Sequence, residues 1–200
     1  MAWIAVGLKD DVPPGVVIPG RIENTELAIW CSVSGDYHAW SDRCPHRGMR
    51  LSHGFVRGET LACIYHGWQY DESGTCSYIP AHPALTPPAT ICVPSYHCKE
   101  AGGVIWTALG EDPASPPDLS GRLPVRSLPV NRSAQGVAAH FGAHSASVIS
   151  VGGQHDVVLA LQPGDGEQCV VHALAAPDHD RTAVSDWLER LRDTLEGTSS

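Results

Sequence analysis

Long apolar runs are missing from this chain of 200 residues. No stretch approaches the ~20 consecutive apolar residues that a membrane-spanning helix needs. The N-terminus, Met1-Ala-Trp-Ile-Ala-Val-Gly-Leu-Lys9, has no basic leader, and Asp10, Asp11 and Pro13 follow at once. It does not read as a secretory signal, so the expectation is a cytoplasmic chain with no membrane partner. Basic residues are also scarce: 13 Lys and Arg stand against 22 Asp and Glu, for a net charge of −9. Phosphate contacts need clustered Lys and Arg, so nucleic acid is not an expected partner. Paired cysteine spacing is lacking too. The seven cysteines are an odd, irregular set, and in a reducing compartment they serve as metal ligands or small buried groups rather than disulfides. Internal repeats and low-complexity tracts are absent.

What remains has the composition of a folded domain, with 42% hydrophobic and 18% charged residues. The 20 glycines and 16 prolines favour turns and short strands over long helices. Val16–Gly20 and Glu26–Val33 are β-rich and end at turn signals. Tyr37–Trp40 reads as a return strand across Ser34-Gly35-Asp36, and Gly103–Leu109 as a further strand. No amphipathic helix pattern occurs in this half. A Pro-rich stretch follows, Asp112-Pro-Ala-Ser-Pro-Pro117 with Pro124 and Pro129, and reads as an extended connector. Beyond it, Ser145–Val151, His155–Gln162 and Glu167–Ala175 are strand candidates. Val184, Trp187, Leu188, Leu191 and Leu195 mark one face of a terminal helix. The expected architecture is mainly β: an antiparallel β domain over 1–111, a connector over 112–135, and a small α+β segment over 136–200 ending in an amphipathic helix.

The chemistry sits in two short runs, Cys44-Pro-His-Arg-Gly48 and Cys63-Ile-Tyr-His-Gly-Trp68. Each offers one thiolate and one imidazole from a tight loop, with a glycine close behind the histidine, two residues after His46 and one after His66. Glycine there lets the backbone curl without a clashing Cβ. A Cys₂His₂ set suits tetrahedral zinc by ligand count, but zinc fingers group cysteine with cysteine and histidine with histidine. Mixed halves suit a [2Fe–2S] cluster with Cys44 and Cys63 on one iron and His46 and His66 on the other. Trp40, Trp68 and Tyr70 read as core packing, or as a shield or docking surface for the site. Arg47 and Arg50 face either an acidic partner or solvent.

At these residues the sequence resembles the Rieske domain of the Rieske non-heme iron oxygenases, the aromatic-ring-hydroxylating and demethylating family. The matching runs are Asp42-Arg-Cys-Pro-His-Arg-Gly-Met-Arg-Leu-Ser-His-Gly54, Leu61-Ala-Cys-Ile-Tyr-His-Gly-Trp-Gln-Tyr-Asp71 and Gly74-Thr-Cys-Ser-Tyr-Ile-Pro80. The resemblance covers roughly residues 1–110. It implies a Rieske antiparallel β domain with one [2Fe–2S] cluster per chain and an electron-transfer role. The respiratory relatives carry an extra cysteine in each loop, where this chain has Met49 and Tyr65, and a hydroxyl donor where it has Trp68. That difference implies a low-potential cluster.

The resemblance also exposes a gap. Family oxygenases add a helix-grip domain holding a mononuclear iron with two histidines and a carboxylate. Its Asp/Glu-x-x-His-x-x-x-x-His pattern is not found here. His140-Phe-Gly-Ala-His144 comes nearest, with the wrong spacing, and Asp156 or Asp165 would have to serve as carboxylate. The segment 136–200 therefore reads as a remnant of such a domain, with exposed apolar surface favouring association. The resulting expectation is a redox subunit that does not oxygenate substrate alone. It takes electrons from a reductase or ferredoxin and passes them to an oxygenase catalytic subunit bearing the mononuclear iron, in a hetero-oligomer. A free-standing ferredoxin-like carrier and a non-catalytic, structural or redox-sensing subunit remain open alternatives.

Overall fold

The computed structural model describes residues 3–110, 114–143, 147–153 and 156–197. It contains three antiparallel sheets. The first has six strands in the order β1-β10-β9-β4-β3-β2, formed by β1 (Ile4–Leu8), β2 (Val17–Ile22), β3 (Thr25–Cys31), β4 (Tyr37–Ser41), β9 (Ser95–Ala101) and β10 (Val104–Ala108). The second is a small sheet of four three-residue strands in chain order: β5 (Phe55–Arg57), β6 (Thr60–Ala62), β7 (Gln69–Asp71) and β8 (Cys76–Tyr78). The third runs β11-β14-β13-β12, from β11 (Leu123–Val130), β12 (Val148–Val151), β13 (Val157–Pro163) and β14 (Cys169–Ala175). Two α-helices complete the fold among the described residues, α1 (Ala134–His140) and α2 (Arg181–Glu196).

The expected hairpin is present: β3 pairs with β4 across residues 32–36, with Cys31 opposite Tyr37. The buried faces of β3 and β4 supply Trp30 and Trp40, whose rings meet edge to face at 4.9 Å. These tryptophans, with Leu51, Leu61 and Tyr70, fill the space between the six-stranded sheet and the small sheet. Trp40 is thus a core residue, only 1% exposed.

The third sheet is buried on both faces, which explains its near-continuous apolar strands. In β13, Val157, Leu159 and Leu161 face one core while Val158 and Ala160 face another. This is the period-two alternation of a strand with no solvent side. One face is covered by α1 and α2. The other packs on β1 and β10 through Ala5, Leu8, Val104 and Trp106. Asp180 caps α2 by accepting from Thr182 N at 2.8 Å, and Gly197 ends it in the left-handed conformation. Val184, Leu188, Leu191 and Leu195 are buried along the expected face.

Two elements depart from expectation. Part of the Pro-rich stretch read as an extended connector is strand β11. It lies at the edge of its sheet, where Pro124 and Pro129 need not donate to an inner neighbour. The short helix α1, capped by Ser133, carries too few residues for a periodic signal. The expected exposed apolar surface on the C-terminal segment is not found. Among the described residues, Leu123 is the one large apolar side chain of the third sheet and its helices in the exposed class. Burial against both helices and the first sheet accounts for the difference.

Candidate metal centre

The two cysteine–histidine loops have the same backbone construction. In the first, Cys44 N donates to Met49 O at 2.8 Å and Gly48 N to Cys44 O at 2.8 Å. In the second, Cys63 N donates to Trp68 O at 2.9 Å and Gly67 N to Cys63 O at 2.9 Å. Each loop therefore closes with bonds at the same offsets, although its histidine sits at a different one. The closing glycines take left-handed backbone angles, φ +68° at Gly48 and +70° at Gly67. A side chain there costs roughly 1–2 kcal/mol, and at Gly67 its Cβ would also press on Pro80 Cγ at 3.0 Å.

These loops place their donors in two pairs. Cys44 and Cys63 lie together in the core between the sheets, each 3% exposed. His46 and His66 lie outside them with ring centroids 4.7 Å apart. Burial, with Cys44 alongside, pushes the Cys63 thiol above its ordinary value. A buried thiolate pair needs positive charge beside it, which the irons of a bound cluster would supply. Burial, then His66 and Arg47, lower the pKa of His46, favouring the neutral imidazole that binds metal. Among the described residues no three His, Cys, Asp or Glu converge on a single ion. Two thiols behind and two imidazoles in front fit a two-iron cluster.

The surroundings hold the loops in place. Asp42, fully buried, accepts from Ser52 N and Ser52 Oγ, both at 2.7 Å. Glu26 on β3 bridges Arg43 and Arg50, so Arg50 is tied internally rather than presented to a partner or to solvent alone. Arg47 remains exposed. Trp68 lies flat on His46, with centroids 4.2 Å apart and planes 5° apart, while Tyr65 leans on His66 at 3.9 Å. Each imidazole is thereby held by an aromatic ring from the second loop.

Tyr70 has a role that its sequence pattern did not reveal. It is buried, as packing would require, but its hydroxyl lies 3.1 Å from Cys44 Sγ. Against a thiolate the hydroxyl is the donor, and burial and Cys44 hold its pKa well above the ordinary phenol value. Trp68 offers no hydroxyl, yet Tyr70 supplies one to the ligand sulfur.

Among the described residues, the alternative second-metal residues are not brought together. His140 ends α1 and meets Phe141 edge to face, while His144 lies outside the described residues. Asp156 pairs with Arg122 at 3.0 Å and Asp165 with Arg21 at 2.5 Å. Cys31, Cys76, Cys92, Cys98 and Cys169 are free thiols.

Comparison with known proteins agrees with this geometry. Residues 2–97 match the Rieske [2Fe-2S] domain family. Oxidoreductase NdmD of Pseudomonas putida is 42% identical over 116 residues, covering 57% of this chain and 20% of that protein. The 4beta-methylsterol monooxygenase of Methylococcus capsulatus is 34% identical over 151 residues, covering 70% and 39%. The chain thus matches well under half the length of these curated relatives. The structure of Pseudomonas putida NdmA superposes with a TM-score of 0.78 at 18% identity, over 98% of this chain and 79% of that one, which is a likeness of fold. No helix among the described residues is long and apolar enough to cross a membrane.

Proposed function

Residues 2–97 belong to the Rieske [2Fe–2S] domain family, and on that premise we propose that this chain is the electron-transfer subunit of a multi-component non-heme iron oxygenase. Cys44 and Cys63 hold one iron and His46 and His66 the other. A [2Fe–2S] cluster bound there supplies one-electron storage, at a potential raised by exchanging two thiolates for imidazoles. The observation that carries this reading is the pair of equivalent loops, with thiols buried behind and imidazoles outward. Cys44 and Cys63 anchor the site in the core, shielded from solvent. His46 and His66 present the face through which an electron leaves, clamped by Trp68 and Tyr65. Tyr70 keeps its hydroxyl proton and donates it in a hydrogen bond to the Cys44 sulfur.

Electrons come from a reductase or ferredoxin and go to a mononuclear iron on a partner catalytic subunit, in the cytoplasm. The third sheet, with α2, is the remnant of a catalytic domain. The NdmA likeness supports this, because it extends over 98% of the chain and so includes this lobe. One observation favours a free-standing carrier instead: the third sheet has both faces covered and offers little apolar surface for a partner.

Metal and sulfide analysis with EPR of the purified chain tests the site. About two irons and two sulfides per chain, with the low average g of a His-ligated cluster, are expected. Zinc alone, or the spectrum of a four-thiolate cluster, would overturn the assignment. The mass in solution, with and without a co-encoded oxygenase subunit, separates subunit from carrier. Substrate turnover by the lone chain would refute the subunit reading.

A further inference from the structure

Exposed apolar groups and unpaired positive charge concentrate beside the second loop. Of the seven large apolar side chains exposed among the described residues, Phe55, Ile64, Tyr65 and Tyr78 lie on this loop and the small sheet. Phe55, Arg57, Cys63, Ile64, Tyr78 and Pro80 line a groove of about 330 Å³. Clustered exposed apolar groups of this kind mark interaction sites.

Charge is distributed in the same sense. Residues 43–70 contain four arginines and a single carboxylate, Glu59, leaving 9 of the 13 basic and 21 of the 22 acidic residues for the rest of the chain. Arg43 and Arg50 are consumed by Glu26. Arg47, next to His46, and Arg57, at the groove, make no ion pair among the described residues and are exposed. Glu59 accepts from Ser34 at 2.7 Å and does not line the groove, nor does any other carboxylate. An acidic protein therefore meets a locally basic, aromatic surface on a body that otherwise repels it, which fixes its orientation on approach.

The groove touches Cys63 and Gly67 but neither ligand histidine. A partner seated there leaves His46 and His66 free. We infer that this groove is the docking site of the electron donor, a small one-electron carrier protein whose redox centre is ringed by carboxylates, entering on the thiolate side while the imidazole side serves the acceptor. In each encounter the carrier is oxidised by one electron and this chain is reduced by one; no bond forms or breaks. The inference rests on the electron-transfer reading above. The contact is small and weak, as such encounters are.

A plant-type [2Fe–2S] ferredoxin, which is acidic, serves as probe for the full chain carrying its cluster. Its affinity is measured by titration calorimetry at low and high salt, and its rate of reducing the chain by stopped flow. Low-salt binding that weakens as salt rises is expected. Arg57→Glu should lower affinity and reduction rate by about tenfold or more, with the visible spectrum unchanged, while Arg57→Lys retains both. Phe55→Ser should weaken binding with its salt dependence kept. Arg190→Glu, on the exposed face of α2, should change nothing. The inference is overturned by unaltered binding in Arg57→Glu, by an equal loss in Arg190→Glu, by no low-salt binding of the ferredoxin, or by tighter binding of duplex DNA at the same surface. If the chain carries no iron–sulfur spectrum, the electron-transfer reading fails instead, and the calorimetry still reports on the groove.

Discussion

The cluster lobe and the C-terminal lobe hold themselves together in different ways. Around the third sheet, apolar strands alternate between two cores and a capped helix closes one face, so large apolar groups are almost all hidden. Around the two loops, four large apolar side chains stay exposed, and two thiols crowd together in the core. The first arrangement is what burial alone selects. The second is costly unless something binds, because buried thiolates and exposed rings each oppose folding. The contrast separates residues kept for stability from residues kept for chemistry.

Replacing a ligand should break the comparison most completely. Cys63→Ser is expected to lower iron and sulfide content at least about tenfold, with the visible and EPR signals lost. The C-terminal lobe has its own core, so far-UV circular dichroism of α2 should persist. Melting of both lobes together would show that the loops also hold the distant sheet in place.

The opposite change probes the other lobe. Leu188, 1% exposed in the α2 core, leaves a cavity when cut to alanine, at a cost of about 2–5 kcal/mol. Urea denaturation should report that loss, while the cluster spectrum below the transition stays unchanged. A shifted EPR signal in Leu188→Ala would show that the lobes are coupled.

Their seam carries a third test. His172 on β14 is buried, with Nδ1 2.9 Å from Ser127 Oγ and Nε2 3.1 Å from Gln162 Oε1. Ser127 Oγ also reaches Asp11 Oδ2 at 2.8 Å, and Gln162 Nε2 donates to the Arg21 carbonyl at 2.9 Å. This chain of polar groups joins the third sheet to the first. Burial lowers the His172 pKa from 6.5 to about 4. The folded value lies below the unfolded one, so the unfolded chain takes up the proton first as pH falls. The contribution is fully present above pH 6.5 and is lost between pH 6.5 and 4, amounting to about 3 kcal/mol at most. His172→Gln should flatten the fall of the urea midpoint across that window. An unchanged slope would place the pH sensitivity elsewhere.

Legibility in the sequence followed the same division. The four candidate ligands were readable because thiolate, imidazole and glycine recur at short, unequal spacings that few other sites share. α2 was readable from periodicity, since it buries one regular face, and strands β13 and β14 as near-continuous apolar runs bounded by turn residues. Strand β11 was hidden by Pro124 and Pro129, which read as a connector until the neighbouring strand shows an edge position. The basic groove was not readable because Arg57 and Tyr78 lie 21 positions apart and meet only through pairing of the small sheet. The hydroxyl of Tyr70 was not readable either, since a buried tyrosine on a short strand looks like packing until its partner, 26 positions away, is known.

That hydroxyl gives the smallest and most specific test. A donor 3.1 Å from Cys44 Sγ draws electron density from the ligand sulfur, and the bond strengthens when the cluster gains an electron. Tyr70 therefore favours the reduced state and raises the midpoint potential. Tyr70→Phe keeps the ring in its buried slot and removes only the donor. A net hydrogen bond of about 1 kcal/mol corresponds to about 40 mV for one electron, so the midpoint should fall by that order, with iron content and thermal stability near those of the parent. Trp68→Phe, which keeps an aromatic face on His46 and had no hydroxyl to lose, should move the potential less. If Tyr70→Phe left the midpoint unchanged, the residue would belong with Trp40 as core packing, and the line between stability and chemistry in this lobe would run closer to the four ligands.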